Sequence, residues 1–113
     1  MHELSIITGV IESCEQAAKD AGAGQILKIN LKIGERSGVS LEALEFAFEA
    51  ARIDSMAAGA ELELVWIEAQ ARCLECAQPF RPEGGLFLQC PQCGGPGQLL
   101  AGQELLIDHL EVV

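Results

Sequence analysis

The apolar positions of the first 70 residues follow helical and strand periods in turn. Over residues 4–21 they recur at three- and four-residue spacing, which predicts an amphipathic helix that ends at Gly22 and Gly24. Its apolar stripe comprises Ile7, Val10, Ile11, Cys14, Ala17 and Ala18. Residues 26–33 alternate instead, which predicts a half-buried strand whose apolar face carries Leu27, Ile29, Leu31 and Ile33.

A second helix and a second strand follow in the same order. Ser40 is a favourable N-cap for a helix over 41–54, and Val39 and Leu44 are spaced as a hydrophobic staple around it. The buried stripe of this helix is predicted to hold Leu41, Leu44, Ala47, Phe48 and Ala51. Residues 61–67 alternate again, with Leu62, Leu64 and Trp66 on one face of a strand.

The remaining third of the chain has a different character. Residues 71–100 combine cysteine, proline and glycine with little periodicity, whereas 104–112 is strand-like with an interruption where Asp108 and His109 are adjacent. We therefore predict an α+β fold in which a small three-stranded sheet carries two helices on one face. The predicted domains are a discontinuous α/β domain, 1–70 and 101–113, and an inserted zinc-ribbon-like module, 71–100.

Charge and composition narrow the classes of partner. The 113 residues include 17 acidic and 7 basic side chains, for a net charge of −10. Such a field repels nucleic acid and favours cationic ligands, metal ions or basic protein surfaces. No apolar run approaches the ~20 residues of a membrane span. The N-terminus also lacks the basic and apolar regions of a secretory signal. We expect a cytoplasmic protein with no membrane association.

Four of the five cysteines form two Cys-x-x-Cys pairs, which are separated by thirteen residues. Two residues between cysteines allow both sulfurs of a pair to reach one ion, so Cys73, Cys76, Cys90 and Cys93 are predicted to hold one metal tetrahedrally. Four sulfur ligands leave no position open for water or substrate, which indicates a structural zinc. Iron, as in a rubredoxin, is the alternative metal. It is disfavoured because Phe80 and Phe87 are the only aromatic residues of 71–100.

The first three residues, Met1-His2-Glu3, are a second candidate metal site. A free Met1 amine, the His2 amide nitrogen and the His2 ring Nδ1 would close two chelate rings in a plane, as Ni(II) or Cu(II) prefers. The fourth position would fall to the Glu3 amide, the Glu3 carboxylate or water. The alternative interpretation is a solvated terminus without metal chemistry.

Three segments in order carry a resemblance to a known family. They are Met1-His2-Glu3-Leu4-Ser5-Ile6, the stretch Ile33-Gly34-Glu35-Arg36-Ser37-Gly38-Val39, and the paired cysteine motif. Together they resemble the HypA/HybF family of hydrogenase maturation nickel metallochaperones, over essentially the whole chain.

The resemblance implies a function and a set of site residues. It implies Ni(II) held transiently by Met1 and His2, with Glu3 as a supporting or partner-contacting residue, and structural Zn²⁺ held by Cys73, Cys76, Cys90 and Cys93. It also implies delivery of nickel to the large subunit of [NiFe]-hydrogenase, in some organisms to urease, together with a HypB-type GTPase. One departure is visible: family members often carry an acidic residue and a proline after the Ser-Gly-Val stretch, where this chain has Ser40-Leu41. Glu42 is the nearest acidic substitute.

Other candidate residues have structural explanations. Cys14 lies on the first helical stripe and is predicted to be a core thiol, the alternative being a reactive or metal-binding one. His109 is expected on the surface of the sheet, the alternative being a nickel ligand. Glu42, Glu45 and Glu49 form either a solvated helix face or a docking surface for a basic partner. No nucleophile–base arrangement or phosphate-binding loop is present, so an enzyme is not expected. The rival hypothesis is a zinc-ribbon interaction module without nickel chemistry.

Overall fold

The computed structural model describes residues 3–82 and 88–113 and contains two helices and two small sheets. The elements in chain order are α1 Glu3–Asp20, β1 Ile26–Gly34, α2 Leu41–Ala51, β2 Glu61–Ile67, β3 Gln70–Cys73, β4 Pro79–Phe80, β5 Gly97–Ala101 and β6 Leu105–Val112.

The first sheet has the strand order β2-β1-β6, with β1 parallel to β2 and antiparallel to β6. Both helices pack on one face of it, and the strands contribute Ile29, Leu31 and Ile33 to their shared core. The helices contribute Ile7, Ile11, Cys14, Leu44 and Phe48, among others. The predicted α+β class and the return of the last strand to this sheet are thus confirmed.

Two register irregularities correct the sequence reading of this sheet. Ile26 pairs with Val112 and Lys28 with Glu111, so Leu27 is an extra residue, and it is 44% exposed rather than on the apolar face. On β6, Asn30 pairs with His109 and Leu31 with Ile107, which leaves Asp108 as the extra residue. This second bulge accounts for the adjacent Asp108 and His109.

Helix α2 begins where the sequence predicts and ends three residues earlier. The Ser40 hydroxyl accepts a hydrogen bond from the Ala43 amide at 3.2 Å, as an N-cap does. At the other end the amide of the C-cap residue Arg52 still donates to the Phe48 carbonyl. Asp54 then adopts φ of 61°, a left-handed conformation that a helix cannot continue.

The second sheet, β4-β3-β5, lies within the segment that has little sequence periodicity. Its strands are two to five residues long, too short for an alternation to stand out. Ala71 and Cys73 of β3 are buried, so the segment has a small interior of its own.

The two sheets are joined by close contacts between backbone segments. A Cβ added to Gly34 would lie 2.3 Å from the Gly102 carbonyl carbon, and Gly102 itself has φ of +117°. The Arg36 amide donates to the Gly102 carbonyl at 2.6 Å. The Glu35 carboxylate accepts from the Ala69 amide at 2.8 Å. The Gly34-Glu35-Arg36 segment is therefore the joint between the sheets.

Candidate metal centre and the N-terminal segment

Two similar turns bring the four cysteines together. In the first, the Ala77 amide donates to the Cys73 carbonyl at 3.1 Å, and in the second the Gly94 amide donates to the Cys90 carbonyl at 2.9 Å. Ala77 and Gly94 both adopt left-handed backbone conformations, with φ of 62° and 75°. Glycine adopts this conformation readily at Gly94, whereas nothing in the sequence marks Ala77 for it.

The sulfur positions fit one tetrahedral ion. Cys73 Sγ lies 3.4 Å from Cys93 Sγ, and Cys76 Sγ lies 3.7 Å from Cys90 Sγ. All four sulfurs lie within 4.8 Å of one another. Metal–sulfur bonds of ~2.3 Å in a tetrahedron place sulfurs roughly 3.8 Å apart, so the donor set matches a four-sulfur site.

Hydrogen bonds from backbone amides stabilise the thiolate form of two of these cysteines. The Cys76 and Glu75 amides donate to Cys73 Sγ at 3.3 and 3.4 Å. The hydrogen bond from the Cys76 amide is the main cause that lowers the pKa of Cys73, to about 6. The amide of Cys93, followed by that of Gln92, likewise lowers the pKa of Cys90.

The other two cysteines resist ionisation beside these thiolates. The Gly95 amide acts to lower the pKa of Cys93, yet the neighbouring cysteines and desolvation together raise it to about 12. The pKa of Cys76 is also raised, since Cys73, desolvation and Cys90 outweigh the amide of Gln78. A divalent cation between the sulfurs would remove this mutual repulsion, so the cluster is suited to metal binding coupled to proton release.

The start of α1 is attached to the start of α2. The Glu3 carboxylate accepts a hydrogen bond from the Ser40 amide at 3.3 Å. A carboxylate at a helix N-terminus is also favoured by the helix dipole. Met1 and His2 lie outside the described residues. The contact places Glu3, the first residue that the structure describes, at the N-terminus of α2.

The joint between the sheets and the Glu3 contact belong to one short segment. Glu35 pairs with Arg81 at 2.9 Å, and Arg81 pairs with Glu68 at 2.8 Å. Five residues further along, Ser40 holds Glu3. Glu35 and Arg81 therefore position the second sheet, which carries Cys73, relative to the start of α1. The sequence gives no local signal for this role, because the contacts span more than 30 residues.

The remaining candidates behave as structural residues. Cys14 is fully buried and burial raises its pKa to about 11, so it is an inert core thiol. His109 is half exposed on the sheet face opposite the helices, where its Nδ1 contacts Asp108 Oδ2 at 2.8 Å. Glu42 lines a surface cavity together with Glu3. Within residues 3–82 and 88–113, the four cysteines are the one group of His, Cys, Asp or Glu side chains placed to hold a metal.

Comparison with known proteins identifies the family. Residues 1–112 match the family model described as "Hydrogenase/urease nickel incorporation, metallochaperone, hypA". The chain belongs to the HypA family. The resemblance drawn from the sequence is thereby confirmed, and the family is one of nickel metallochaperones for hydrogenase maturation.

Relatives match this chain along its whole length. It is 41% identical to hydrogenase maturation factor HypA of Geobacter metallireducens over 113 residues, or 99% of each chain. It is 37% identical to the Rhodobacter capsulatus HypA over 114 residues, which cover all of both chains. The solution structure of the Ni metallochaperone HypA from Helicobacter pylori superposes with a TM-score of 0.71 at 29% identity, covering 100% and 98% of the two chains.

No helix in the described part of the chain is long and apolar enough to cross a membrane.

Proposed function

We propose that this chain binds Ni(II) at its N-terminus and delivers it during maturation of [NiFe]-hydrogenase, and in some organisms urease. Membership of the HypA family supports the nickel chemistry. The main structural support for this location of the nickel site is the hydrogen bond from the Ser40 amide to the Glu3 carboxylate, because it attaches the start of α1 to α2. The expected partners are a HypB-type GTPase and the hydrogenase large subunit, all in the cytoplasm, and the chain itself catalyses no reaction.

The nickel ligands proposed are three nitrogens from two residues. The Met1 amine, the His2 amide nitrogen and His2 Nδ1 form adjacent five- and six-membered chelate rings in a plane, which suits Ni(II). Glu3 supports this site by holding the terminus, since its carboxylate is engaged by the Ser40 amide. A terminal chelate with few protein ligands can release its ion more readily than a closed shell can, as delivery requires.

The four cysteines would hold one Zn²⁺, which supplies folding free energy and no catalytic chemistry. The sulfur separations of 3.4 and 3.7 Å and the amide donors fit that ion. Zinc is favoured over iron because Phe80 and Phe87 are the only aromatic residues of 71–100. The departure at Ser40-Leu41 leaves the start of α2 intact, because the Ser40 hydroxyl caps the helix as an acidic side chain would.

Titration calorimetry on untagged, zinc-loaded protein tests the nickel site. We expect His2→Ala, and separately an uncleaved N-terminal extension that removes the free amine, to abolish high-affinity Ni(II) binding. Bound zinc should remain at one equivalent. His109→Ala is the matched control, since that histidine lies on the far face of the sheet. Unchanged Ni(II) affinity in His2→Ala would refute the proposal and favour the zinc-ribbon interaction module.

A further inference from the structure

Helix α2 has a second apolar stripe, on its outer surface. The side chains of Leu44, Ala47 and Phe48 already pack into the core. A separate row with three-, four- and three-residue spacing runs along another side and just past the helix end; it consists of Ala43, Phe46, Ala50 and Ile53. Phe46 is 81% exposed and Ile53 68% exposed. The fold does not bury these side chains, and their spacing is that of a helix–helix seam.

Phe46 forms a ridge between two surface cavities. One, of about 610 Å³, lies toward the start of α1 and is lined by Glu3, Leu4 and Ala47, among others. The other, of about 510 Å³, lies toward β2 and is lined by Phe48, Ala60 and Leu62, among others. A ridge flanked by two grooves can interlock with the side chains of another helix.

One side of the outer stripe is acidic. Glu42, Glu45 and Glu49 are exposed along it, and Glu42 lines both cavities. Arg52 offsets part of this charge by pairing with Glu49 at 2.9 Å. Its guanidinium is also held by the carbonyls of Ala58 and Ala60, so it is fixed in that place. The stripe is therefore apolar along its centre and negative along one flank.

We propose that this outer face of α2 docks an amphipathic helix of a partner protein, with apolar residues at three- and four-residue spacing and lysine or arginine along one flank. The apolar seam fits the helix-in-groove mode of recognition, and the acidic flank selects the charge of the partner. The outer face of a second copy carries the same acidic flank, so it lacks the basic flank that this surface selects. The surface is separate from the nickel ligands, although its first cavity reaches Glu3.

A synthetic helix tests the surface on the intact, zinc-loaded protein. The probe is a peptide of about three heptads with a leucine and alanine seam and lysines on one flank. The control peptide has glutamate in place of each lysine. Amide chemical shifts of labelled protein are followed during titration. With the lysine peptide we expect shifts confined to residues 42–53, residues 60–62 and the start of α1, weakened by salt. With the glutamate peptide we expect none.

Variants then separate the two parts of the surface. Phe46→Ser should weaken binding at least about tenfold, as loss of a hot-spot aromatic does. Glu42→Gln, Glu45→Gln and Glu49→Gln together should weaken binding and remove most of its salt dependence. Leu100→Ser is the control, because Leu100 is 52% exposed but lies on the second sheet. Circular dichroism confirms that each variant is folded.

Several outcomes would overturn the proposal. Equal affinity of Phe46→Ser and wild type, or equal binding of the two peptides, would show that neither the ridge nor the acidic flank selects the ligand. A wild-type dimer in sedimentation that Phe46→Ser converts to monomer would assign the face to a second copy of the chain instead.

Discussion

Gly34 provides a quantitative test of how the two sheets are joined. An added Cβ would lie 2.3 Å from both the carbon and the oxygen of the Gly102 carbonyl, and 2.6 Å from the Gln103 amide nitrogen. These are all backbone atoms, so no side-chain rotation can relieve the clash. Gly34→Ala must therefore move β1 away from the segment that leads into β6.

The loss of folding free energy in Gly34→Ala follows from the contacts that Gly34 makes. Overpacking costs roughly 1–3 kcal/mol. The same movement weakens two short backbone hydrogen bonds, Gly34 N to Glu104 O at 2.7 Å and Arg36 N to Gly102 O at 2.6 Å. Each contributes about 1 kcal/mol. The total of about 3–5 kcal/mol is a large part of the ~5–15 kcal/mol that stabilises a domain of this size.

Thermal unfolding followed by circular dichroism, at fixed zinc concentration, measures the effect. We expect Gly34→Ala to lower Tm by roughly 10–25 °C. Gly9→Ala is the matched control: its added Cβ meets nothing within 4 Å, and it lies inside α1. Alanine there should raise stability by roughly 0.5–1 kcal/mol. A Gly34→Ala variant whose Tm lies within about 2 °C of wild type would refute the account of the joint.

Three further predictions concern other parts of the chain. Cys73→Ala should lose the bound metal and make residues 71–100 sensitive to protease, because metal binding supplies their folding free energy; wild-type-like resistance would contradict this. Cys14 should not react with a thiol reagent in the native, metal-loaded protein, since it is fully buried and burial raises its pKa to about 11; rapid modification would show that the core opens. Hydrogen bonds from Lys28 and Asn30 lower the pKa of Glu63. The stabilisation of the folded state by the ionised Glu63 is therefore fully present above about pH 4.3, the ordinary glutamate pKa. It is lost as the pH falls through the lowered pKa of the folded state. In Glu63→Gln, Tm should fall less steeply as the pH is lowered through the acid range. An unchanged pH dependence of Tm would argue against the stabilising contacts of Glu63 with Lys28 and Asn30.

The sequence predicted features that depend on local spacing. The helix and strand periods place α1, β1, α2 and β2 close to their observed bounds, because a half-buried element must repeat with its own geometry. Two residues between paired cysteines allow both sulfurs of a pair to reach one ion, and all four sulfurs do lie within 4.8 Å of one another. Ser40 was recognisable as a cap because the side chain that satisfies the helix end lies next to it in sequence.

Features that depend on distant partners were not predictable. Leu27 is exposed because β6 pairs with β1 through a bulge, which no alternation within β1 reveals. Strand β4 is two residues long and carries no period. The role of Glu35 depends on Ala69 and Arg81, both more than 30 residues away. The contact of Glu3 with Ser40 likewise exists only once α1 and α2 have packed.

X-ray absorption at the nickel edge, on zinc-loaded protein with its native N-terminus, tests the central claim most directly. We predict a first shell of nitrogen and oxygen atoms with the edge features of planar Ni(II), and no sulfur scatterer. The zinc edge of the same sample should show four sulfurs at ~2.3 Å. Sulfur in the nickel shell, or a six-coordinate nickel without the planar edge feature, would contradict the assignment of nickel to Met1 and His2.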